Sequence, residues 1–324
     1  MTKIKHINKI RYFVQTLVVL FILIVPILSL YQSKVSAYAI QWMQGSEKVF
    51  FETIDNVVRL ILDDPKNDLD MVKGSVWSAQ IGTLKISDPL AVVGQVTSEK
   101  HFYWPFILTA LIPFGITLLF GRIFCGWICP GYLLYEIGDI FRQLLNRAGI
   151  KPRNIKLSPL TKYIVLVLGV IIGFVLGGMV FPMIYPPAII SREWYYLVYT
   201  GSFGSGITLL LISLFIEISV SRRAVCRYLC PGGALYSLLG KFRVIRIRRK
   251  PSVCTSCIKC NDVCGLGLKP MQDLTGMDCN TCGACIAACP TDALTIRLGW
   301  SDSPLRPLEP NKSKEKRVNG EVSY

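Results

Sequence analysis

The sequence CTSCIKCNDVC at Cys254–Cys264 is followed, after fourteen residues, by CNTCGACIAACP at Cys279–Pro290. In both stretches, three cysteines at intervals of three precede a fourth cysteine across a longer gap. Thiolates are soft ligands that bind iron–sulfur clusters, zinc or copper(I), but a zinc ribbon separates two C-x2-C pairs by a long loop. The doubled spacing therefore predicts two four-iron clusters, and it disfavours zinc sites and disulfides.

The doubled run resembles that of bacterial two-cluster ferredoxins, in which the fourth cysteine of each run binds the other cluster. This crossed pattern predicts Cys254, Cys257, Cys260 and Cys289 as the ligands of cluster 1, and Cys279, Cys282, Cys285 and Cys264 as the ligands of cluster 2. One departure from the motif is that Gly265 follows Cys264, whereas Pro290 follows Cys289. The shape of the loop after Cys264 is therefore less predictable.

The chain is too apolar for an ordinary soluble enzyme, since 52% of its 324 residues are hydrophobic and 18% are charged. Its apolar runs predict four membrane spans across a bilayer core of about 30 Å: Tyr12–Tyr31, Phe102–Phe120, Tyr163–Met183 and Phe203–Val220. The fourth run is the weakest because it opens with Gly-Ser-Gly and contains Glu217. A cleaved signal peptide is the alternative for the first run, since residues 36–39 (SAYA) resemble a cleavage site.

Basic residues set the predicted orientation, because cytoplasmic loops carry an excess of Lys and Arg. They cluster before the first run, between the second and third runs, and after the fourth. We therefore expect Lys3, Arg153 and all 12 cysteines on the cytoplasmic side of the inner membrane, and Asp64 and Arg192 outside. The net charge of +15 is mostly this topological signal. It is not interleaved with aromatic residues on a soluble domain, so a nucleic-acid partner is disfavoured.

Similar sequences follow the second and fourth apolar runs, at the ends assigned to the cytoplasm. RIFCGWICPGYLLYEIGDIFR at Arg122–Arg142 aligns without a gap to RAVCRYLCPGGALYSLLGKFR at Arg223–Arg243. In each copy, an apolar run is followed by a C-x3-C-P motif and then by an amphipathic segment. Two such halves predict a pseudo-symmetric membrane unit, and repeats of this kind place functional sites at their interface.

The repeat supplies four further thiols, Cys125, Cys129, Cys226 and Cys230. In a helical exit, the two thiols of each copy share one face, and the following proline turns the chain. Three interpretations stay open. The thiols hold an additional metal or cluster, they line the groove where the cluster domain docks, or they form a redox-active thiol set.

The segment between the first two runs is predicted to form a small helical cap outside the membrane. It contains an amphipathic stretch at Val49–Asp64 and a turn-rich stretch at Gly82–Gln95. The sharper alternative is that it shapes a quinone pocket or docks an extracytoplasmic partner. Nearer the cluster motifs, the basic run Arg243–Lys250 is expected to lie on anionic headgroups. The polar tail after Trp300 is predicted to be disordered.

Together these features predict an all-α polytopic membrane protein with four transmembrane helices in two pseudo-symmetric halves, followed by a C-terminal α+β two-cluster ferredoxin domain. The predicted organisation is a cytoplasmic N-terminus with the first span (1–31), an extracytoplasmic cap (32–101), the second span with the first C-x3-C-P segment (102–145), a cytoplasmic loop with the third span (146–185), an outer loop, fourth span and second C-x3-C-P segment (186–243), the cluster domain (244–298) and the disordered tail (299–324).

The order of these parts resembles the membrane quinol dehydrogenase subunit of periplasmic nitrate reductase systems (NapH type), and is similar to the methylamine-utilisation ferredoxin MauN and to the membrane core of nitrous-oxide reductase regulators. The resemblance covers about residues 12–298 and is strongest in FGSGITLLL, CRYLCPGGALYSLLGK and the paired cluster motifs. It implies that the protein takes electrons from the membrane quinone pool and delivers them to a soluble or periplasmic iron–sulfur protein or cytochrome. The alternatives are an assembly or maturation factor that reduces a partner's metal centre, and a docking subunit with structural clusters.

Quinol oxidation needs a proton acceptor beside an apolar slot, and two residues are candidates. Glu217 is the one acidic or basic residue within the predicted spans, and ionisable residues in membrane segments are functional candidates. Its alternative role is an ion pair with Arg222 or Arg223. His101 stands where the second run enters the membrane, where an aromatic belt explains its neighbours Tyr103 and Trp104.

Overall fold

A computed structural model describes residues 7–36, 42–60, 62, 68–69, 72–150, 152, 154–155 and 157–299. Lys3, Asp64, Arg153 and the tail from Trp300 onward lie outside the described residues, as do most of the candidate cleavage residues. The chain forms two compact units. Unit 1 comprises Met1–Gln15, Phe114–Gly169 and Leu211–Tyr324, and unit 2 comprises Thr16–Pro113 and Val170–Leu210.

The described residues are mostly helical. In chain order the α-helices are α1 (Ile7–Ser36), α2 (Ser46–Arg59), α3 (Pro89–Glu99), α4 (Trp104–Thr109), α5 (Leu111–Phe120), α6 (Ile123–Trp127), α7 (Pro130–Arg147), α8 (Thr161–Leu176), α9 (Phe181–Ile184), α10 (Pro186–Thr200), α11 (Gly206–Ser219), α12 (Pro231–Leu239), α13 (Lys259–Asp262) and α14 (Ala284–Ala287). The strands are β1 (Val72–Gly74), β2 (Ser78–Ile81), β3 (Leu84–Ser87), β4 (Ile245–Arg249) and β5 (Leu294–Leu298). A π-helix occupies Val225–Leu229.

Each predicted apolar run contains a helix, but the helices differ in length. Among the described residues, α1 alone is long and apolar enough to cross a membrane by length and composition. The second run is split into α4 and α5, because Pro113 has no N–H to donate to the carbonyl of Thr109. Helix α8 ends at Leu176, before the left-handed Gly177, and α11 has 14 residues. Side chains such as Val175 and Phe215 are exposed, as lipid-facing residues would be.

Unit 2 contains a three-stranded antiparallel sheet of order β1-β2-β3, which the sequence analysis missed. Helix α2 covers most of the amphipathic stretch Val49–Asp64, as predicted, whereas residues 72–87 form strands instead of helix. The position of this segment outside the membrane stays a prediction. The missed signal is the two-residue turn at Gly82, whose φ of 62° suits a tight hairpin between β2 and β3. A second unexpected element is α10, which occupies the segment predicted to be an outer loop.

In unit 1, strands β4 and β5 pair antiparallel and close the cluster domain, residues 244–298. The prediction that the basic run Arg243–Lys250 lies on lipid headgroups is wrong, because this run forms β4 and several of its arginines are buried. Arg243 is 1% exposed and donates to the carbonyl oxygens of Cys279 (2.9 Å) and Gly276 (2.6 Å). Arg249 is 2% exposed and pairs with Asp273. These cations hold the cluster domain together.

Candidate iron–sulfur site

The two loops that carry the first three cysteines of each run have the same backbone shape. Residues immediately before and after the central cysteine are left-handed in both loops: Ser256 (φ 52°) and Ile258 (φ 66°) in the first, Thr281 (φ 52°) and Gly283 (φ 78°) in the second. A left-handed conformation is an outlier for β-branched Ile258, and such strain persists mainly at functional sites. Alternating left-handed turns direct successive N–H groups to one side, which forms an anion-binding concavity.

The structure groups the cluster 1 cysteines around one cavity. Cys254, Cys257, Cys260 and Cys289 all line this cavity, which is otherwise mainly apolar. The N–H of Ala293 donates to Cys289 Sγ at 3.3 Å. Burial raises the pKa of Cys289, but the backbone N–H groups of Ala293 and its neighbours outweigh burial and hold this pKa below its ordinary value. A cavity walled by four thiols, with an N–H directed at one sulfur, fits a thiolate-bound cluster.

The remaining four ferredoxin-type cysteines form a second group. Cys285 lies within electrostatic range of Cys279, Cys282 and Cys264, and also of Cys260 from the first group. Cys264 lies within electrostatic range of Cys282 and Cys279. These proximities are compatible with the crossed pattern, and the division of the ligands between two clusters stays a prediction. No group of three or more His, Cys, Asp or Glu side chains in the described ranges is arranged to hold a single metal ion.

Burial favours the protonated form of two of these thiols when they are free. It raises the pKa of Cys260 to about 12 and that of Cys264 to about 11. Thiolates are the ligand form, so assembly of a cluster here must release protons. The concave, N–H-lined loops fit iron–sulfur clusters, and the residues that would hold the clusters are the eight cysteines.

The first repeat packs against the cluster 2 loop. The indole N–H of Trp127 donates to the carbonyl oxygen of Thr281 at 3.1 Å. Gly126 lies so close to Asn280 that a Cβ at this position would meet the Asn280 carbonyl oxygen at 2.7 Å. Tyr132 is buried, and its hydroxyl hydrogen-bonds the Cys282 thiol. The first repeat therefore contacts the cluster domain, and the interpretation that its thiols line the docking groove stays a prediction.

The second repeat packs against the loop that follows Cys264. A Cβ at Gly265 would meet the Arg223 side chain at 3.3 Å, and one at Gly267 would meet the Arg227 guanidinium at 2.7 Å. Gly267 also has a φ of 66°, which favours glycine. The departure from the usual Cys-Pro motif at Gly265 therefore has a physical reason: the loop makes room for two arginines of the repeat.

The two repeats also contact each other reciprocally. Arg223 donates to the carbonyl oxygen of Tyr132 at 2.7 Å, and its guanidinium lies 4.2 Å from the centroid of the Tyr132 ring. Its repeat counterpart, Arg122, occupies the space beside Gly233, the counterpart of Tyr132, where a Cβ would meet the guanidinium at 2.8 Å. Each arginine thus reaches the position after the Cys-Pro-Gly of the other copy. This exchange agrees with two pseudo-symmetric halves.

A buried charge cluster, missed by the sequence analysis, ties the first repeat to the residue before Cys279. Asp278 accepts hydrogen bonds from Lys162, from Ser237 at 2.7 Å and from Arg122 at 3.3 Å. The side chains of Lys162 and Arg122 are 1% and 2% exposed, and that of Asp278 is 26% exposed. A sequence signal for this cluster is weak, because the residues are scattered over 156 positions of the chain.

The two candidate proton acceptors have different surroundings. Glu217 is 2% exposed, and its carboxylate accepts the N–H groups of Ala224 (3.0 Å) and Val225 (2.8 Å), at the entry to the second repeat. The arginines considered as its partners instead form ion pairs with Asp139. His101 is an exposed residue of unit 2, just before α4. Glu217 therefore anchors backbone, and its proton-accepting role stays a prediction.

Comparison with known proteins adds two family matches, both described as 4Fe-4S binding domains. One (Fer4_5) matches residues 102–148 and 203–250, which are the two repeats with their preceding helices. The other (Fer4) matches residues 277–295, in the second cysteine run. No solved structure matches the chain.

Several curated proteins are similar over most of the chain. The ferredoxin-type protein NapH of Escherichia coli is 29% identical over 265 residues, which cover 76% of this chain and 86% of that protein. The methylamine utilization ferredoxin-type protein MauN of Methylobacillus flagellatus is 31% identical over 60% of this chain and 65% of its own length. The putative electron transport protein YccM of Escherichia coli is 30% identical over 68% of this chain and 63% of its own length.

Proposed function

Because the chain belongs to the family of ferredoxin-type proteins that includes NapH and MauN, we propose that it oxidises a membrane quinol and passes the electrons singly through two four-iron clusters to a redox partner. The coarser statement, that it is an iron–sulfur electron-transfer protein, follows from the family and its 4Fe-4S binding domains. The partner would be a soluble or periplasmic iron–sulfur protein or cytochrome, with the quinone pool as donor.

The observation that carries the proposal is the close packing of the predicted cluster 2 loop on the segment that follows an apolar helix. The cluster 2 loop contacts Gly126 and Trp127 directly, and these residues follow α5. When bound, clusters of this kind accept electrons one at a time over a wide range of potentials. Apolar helices beside them would give a lipid-soluble donor access to the cluster domain. Few arrangements other than quinol oxidation use both features.

The reaction requires a quinol to lose two electrons and two protons, so a base must accept protons where the electrons leave. Glu217 suits this role because it is buried at the end of α11, nine residues before Cys226. Its hydrogen bonds to Ala224 and Val225 hold the carboxylate in place. His101 is the second candidate, in unit 2.

We further propose four membrane spans, at α1, α4–α5, α8 and α11, with both termini and the cluster domain on the cytoplasmic side of the inner membrane. The apolar helices carry exposed large side chains such as Leu119, Ile164 and Phe215, and extensive exposed apolar surface marks contact with lipid or protein. The basic excess in the loops assigned to the cytoplasm supports the orientation.

Rates of cluster reduction by a menaquinol or ubiquinol analogue test the site. We expect Glu217→Gln to slow reduction at least about a hundredfold, the lower end of the range for loss of a general base, with His101→Ala near the wild-type rate. Glu193→Gln is a matched control, since Glu193 is also a buried carboxylate that accepts a backbone N–H, from Gly206 at 3.1 Å. Full rate in Glu217→Gln would refute its role and leave quinol oxidation standing.

A further inference from the structure

We propose that the repeat thiols Cys125, Cys129, Cys226 and Cys230 are the ligands of a third iron–sulfur cluster. The first observation is that they form one group. The thiols that act electrostatically on Cys129 are Cys125 and Cys230, and those that act on Cys226 include Cys230 and Cys129. Each repeat thus contributes two members to a four-thiol set.

Two of these thiols stand at the start of a helix. Cys230 precedes α12, where the Gly233 N–H donates to Cys230 Sγ at 3.3 Å. Cys129 precedes α7 at the equivalent position of the first copy, but its side chain makes no capping hydrogen bond. A cysteine at a helix N-terminus therefore occurs in both copies. N–H groups and the helix dipole both favour an anionic ligand set there.

Charge is the second observation. Arg122 is 2% exposed and lies within electrostatic range of Cys125, Cys226 and Cys230. It shares the carboxylate of Asp278 with Lys162, which is also buried, so two buried cations share one carboxylate. Its Nε is buried and has no hydrogen-bond partner among the described residues. Two buried cations beside one carboxylate leave positive charge uncompensated, which is costly, and four thiolates around an iron–sulfur core would supply negative charge.

A third observation concerns the type of group. The family match over residues 102–148 and 203–250 is described as a 4Fe-4S binding domain. The cysteines in those stretches are the four repeat thiols, and all eight ferredoxin-type cysteines lie outside them. A π-helix, a form that often marks functional sites, carries Cys226. The family description and the local geometry both support the four repeat thiols as the site of an iron–sulfur cluster.

The site also adjoins the predicted cluster 2 loop. Gly126, between the two cysteines of the first repeat, packs against Asn280, which follows Cys279. One electron passing from the four-thiol site to cluster 2 would cross this contact, with no bond or proton exchanged. The inference goes beyond the proposed quinol oxidation and does not depend on it, because it concerns the ligand set alone.

The test is metal analysis of anaerobically purified full-length protein, with iron, acid-labile sulfide and zinc measured per chain. We expect about twelve iron and twelve sulfide, from three four-iron sites. Cys129→Ser and Cys226→Ser should each lower iron to about eight, and the double variant should lose no more, since both belong to one site. Cys257→Ser is the matched control: combined with Cys129→Ser, it should leave about four iron.

The outcomes separate cleanly. A wild-type value of about eight iron, unchanged in Cys129→Ser, would overturn the proposal, as would one zinc per chain or a disulfide among the four thiols. Should the serine variants fail to fold, the wild-type stoichiometry still decides. Failure of quinol to reduce any cluster would count against the proposed function and leave this inference intact.

Discussion

Replacing Asp278 by Asn should destabilise unit 1 through charge alone, since Asn keeps the shape and one acceptor oxygen of Asp. In the structure, Asp278 pairs with the buried side chains of both Lys162 and Arg122. Removing one partner of a buried ion pair costs about 3–5 kcal/mol. Because Asp278 is 26% exposed and Asn still accepts from Ser237, we expect about 2–3 kcal/mol.

The assay is thermal unfolding of the detergent-solubilised, cluster-loaded protein, followed by circular dichroism and by loss of the cluster absorbance. For a unit of this size, each kcal/mol lowers Tm by about 2–4 °C, so Asp278→Asn should lower Tm by about 4–12 °C. Asp262→Asn is the control, because Asp262 is an exposed carboxylate of the same domain. Its Tm should stay within about 2 °C of wild type.

A double-mutant cycle isolates the pair. Lys162→Gln in the Asp278→Asn background should recover part of the loss, because it removes one of the two buried cations left without a carboxylate. The coupling should fall at about 1–3 kcal/mol. If Asp278→Asn melts like Asp262→Asn, or if the two changes are simply additive, the charge argument for this cluster is wrong.

Three further predictions address the redox site and topology. Tyr132→Phe should lower the reduction potential of cluster 2 by about 40 mV, because the hydrogen bond to Cys282 favours the reduced, more negative form of the cluster by about 1 kcal/mol. A redox titration measures this shift, and an unchanged potential would contradict the prediction. Gly126→Ala should perturb the cluster 2 signal and cost about 1–3 kcal/mol through its clash with Asn280, whereas Gly115→Ala, with no atom within 4 Å of the added Cβ, should not. Reporter fusions after residues 64 and 192 should be active outside, and fusions after residues 153 and 300 inside; an outward reporter at 300 would refute the four-span proposal.

The sequence predicted the parts of the molecule whose geometry is fixed by short-range spacing. Cysteines three residues apart must lie on one loop, so the two thiol groups follow from the pattern once the crossed ligation of related ferredoxins is assumed. The repeat likewise predicted that both C-x3-C-P segments would be equivalent, and each proline does begin a new helix after its cysteine. These features depend on neighbouring residues alone.

Features that depend on long-range pairing were missed. The Asp278 cluster joins residues from four distant segments, and no local pattern marks it. The basic run at Arg243–Lys250 suggested a membrane-surface role because its charges are dense. In the structure, buried carbonyl oxygens of the cluster domain accept from Arg243 instead. Charge density alone does not distinguish an exposed run from one whose charges are neutralised by tertiary contacts.

The sheet of unit 2 was missed for a related reason. Its strands have three or four residues each, too short for a clear alternation of polar and apolar residues. Gly82 was the usable signal, but it was assigned to a turn within a cap. Helices in the apolar runs were predictable, whereas their breaks at Pro113 and Gly177 depended on single residues.

The central claim is that quinol donates electrons to the iron–sulfur clusters of this chain. The most direct test mixes the anaerobic wild-type protein with a menaquinol analogue and records its electron paramagnetic resonance spectrum. The account predicts that quinol produces the reduced-cluster signals that dithionite produces, and that Cys282→Ala lacks the part belonging to cluster 2. If dithionite reduces the clusters and neither menaquinol nor ubiquinol analogues do, quinol oxidation is contradicted.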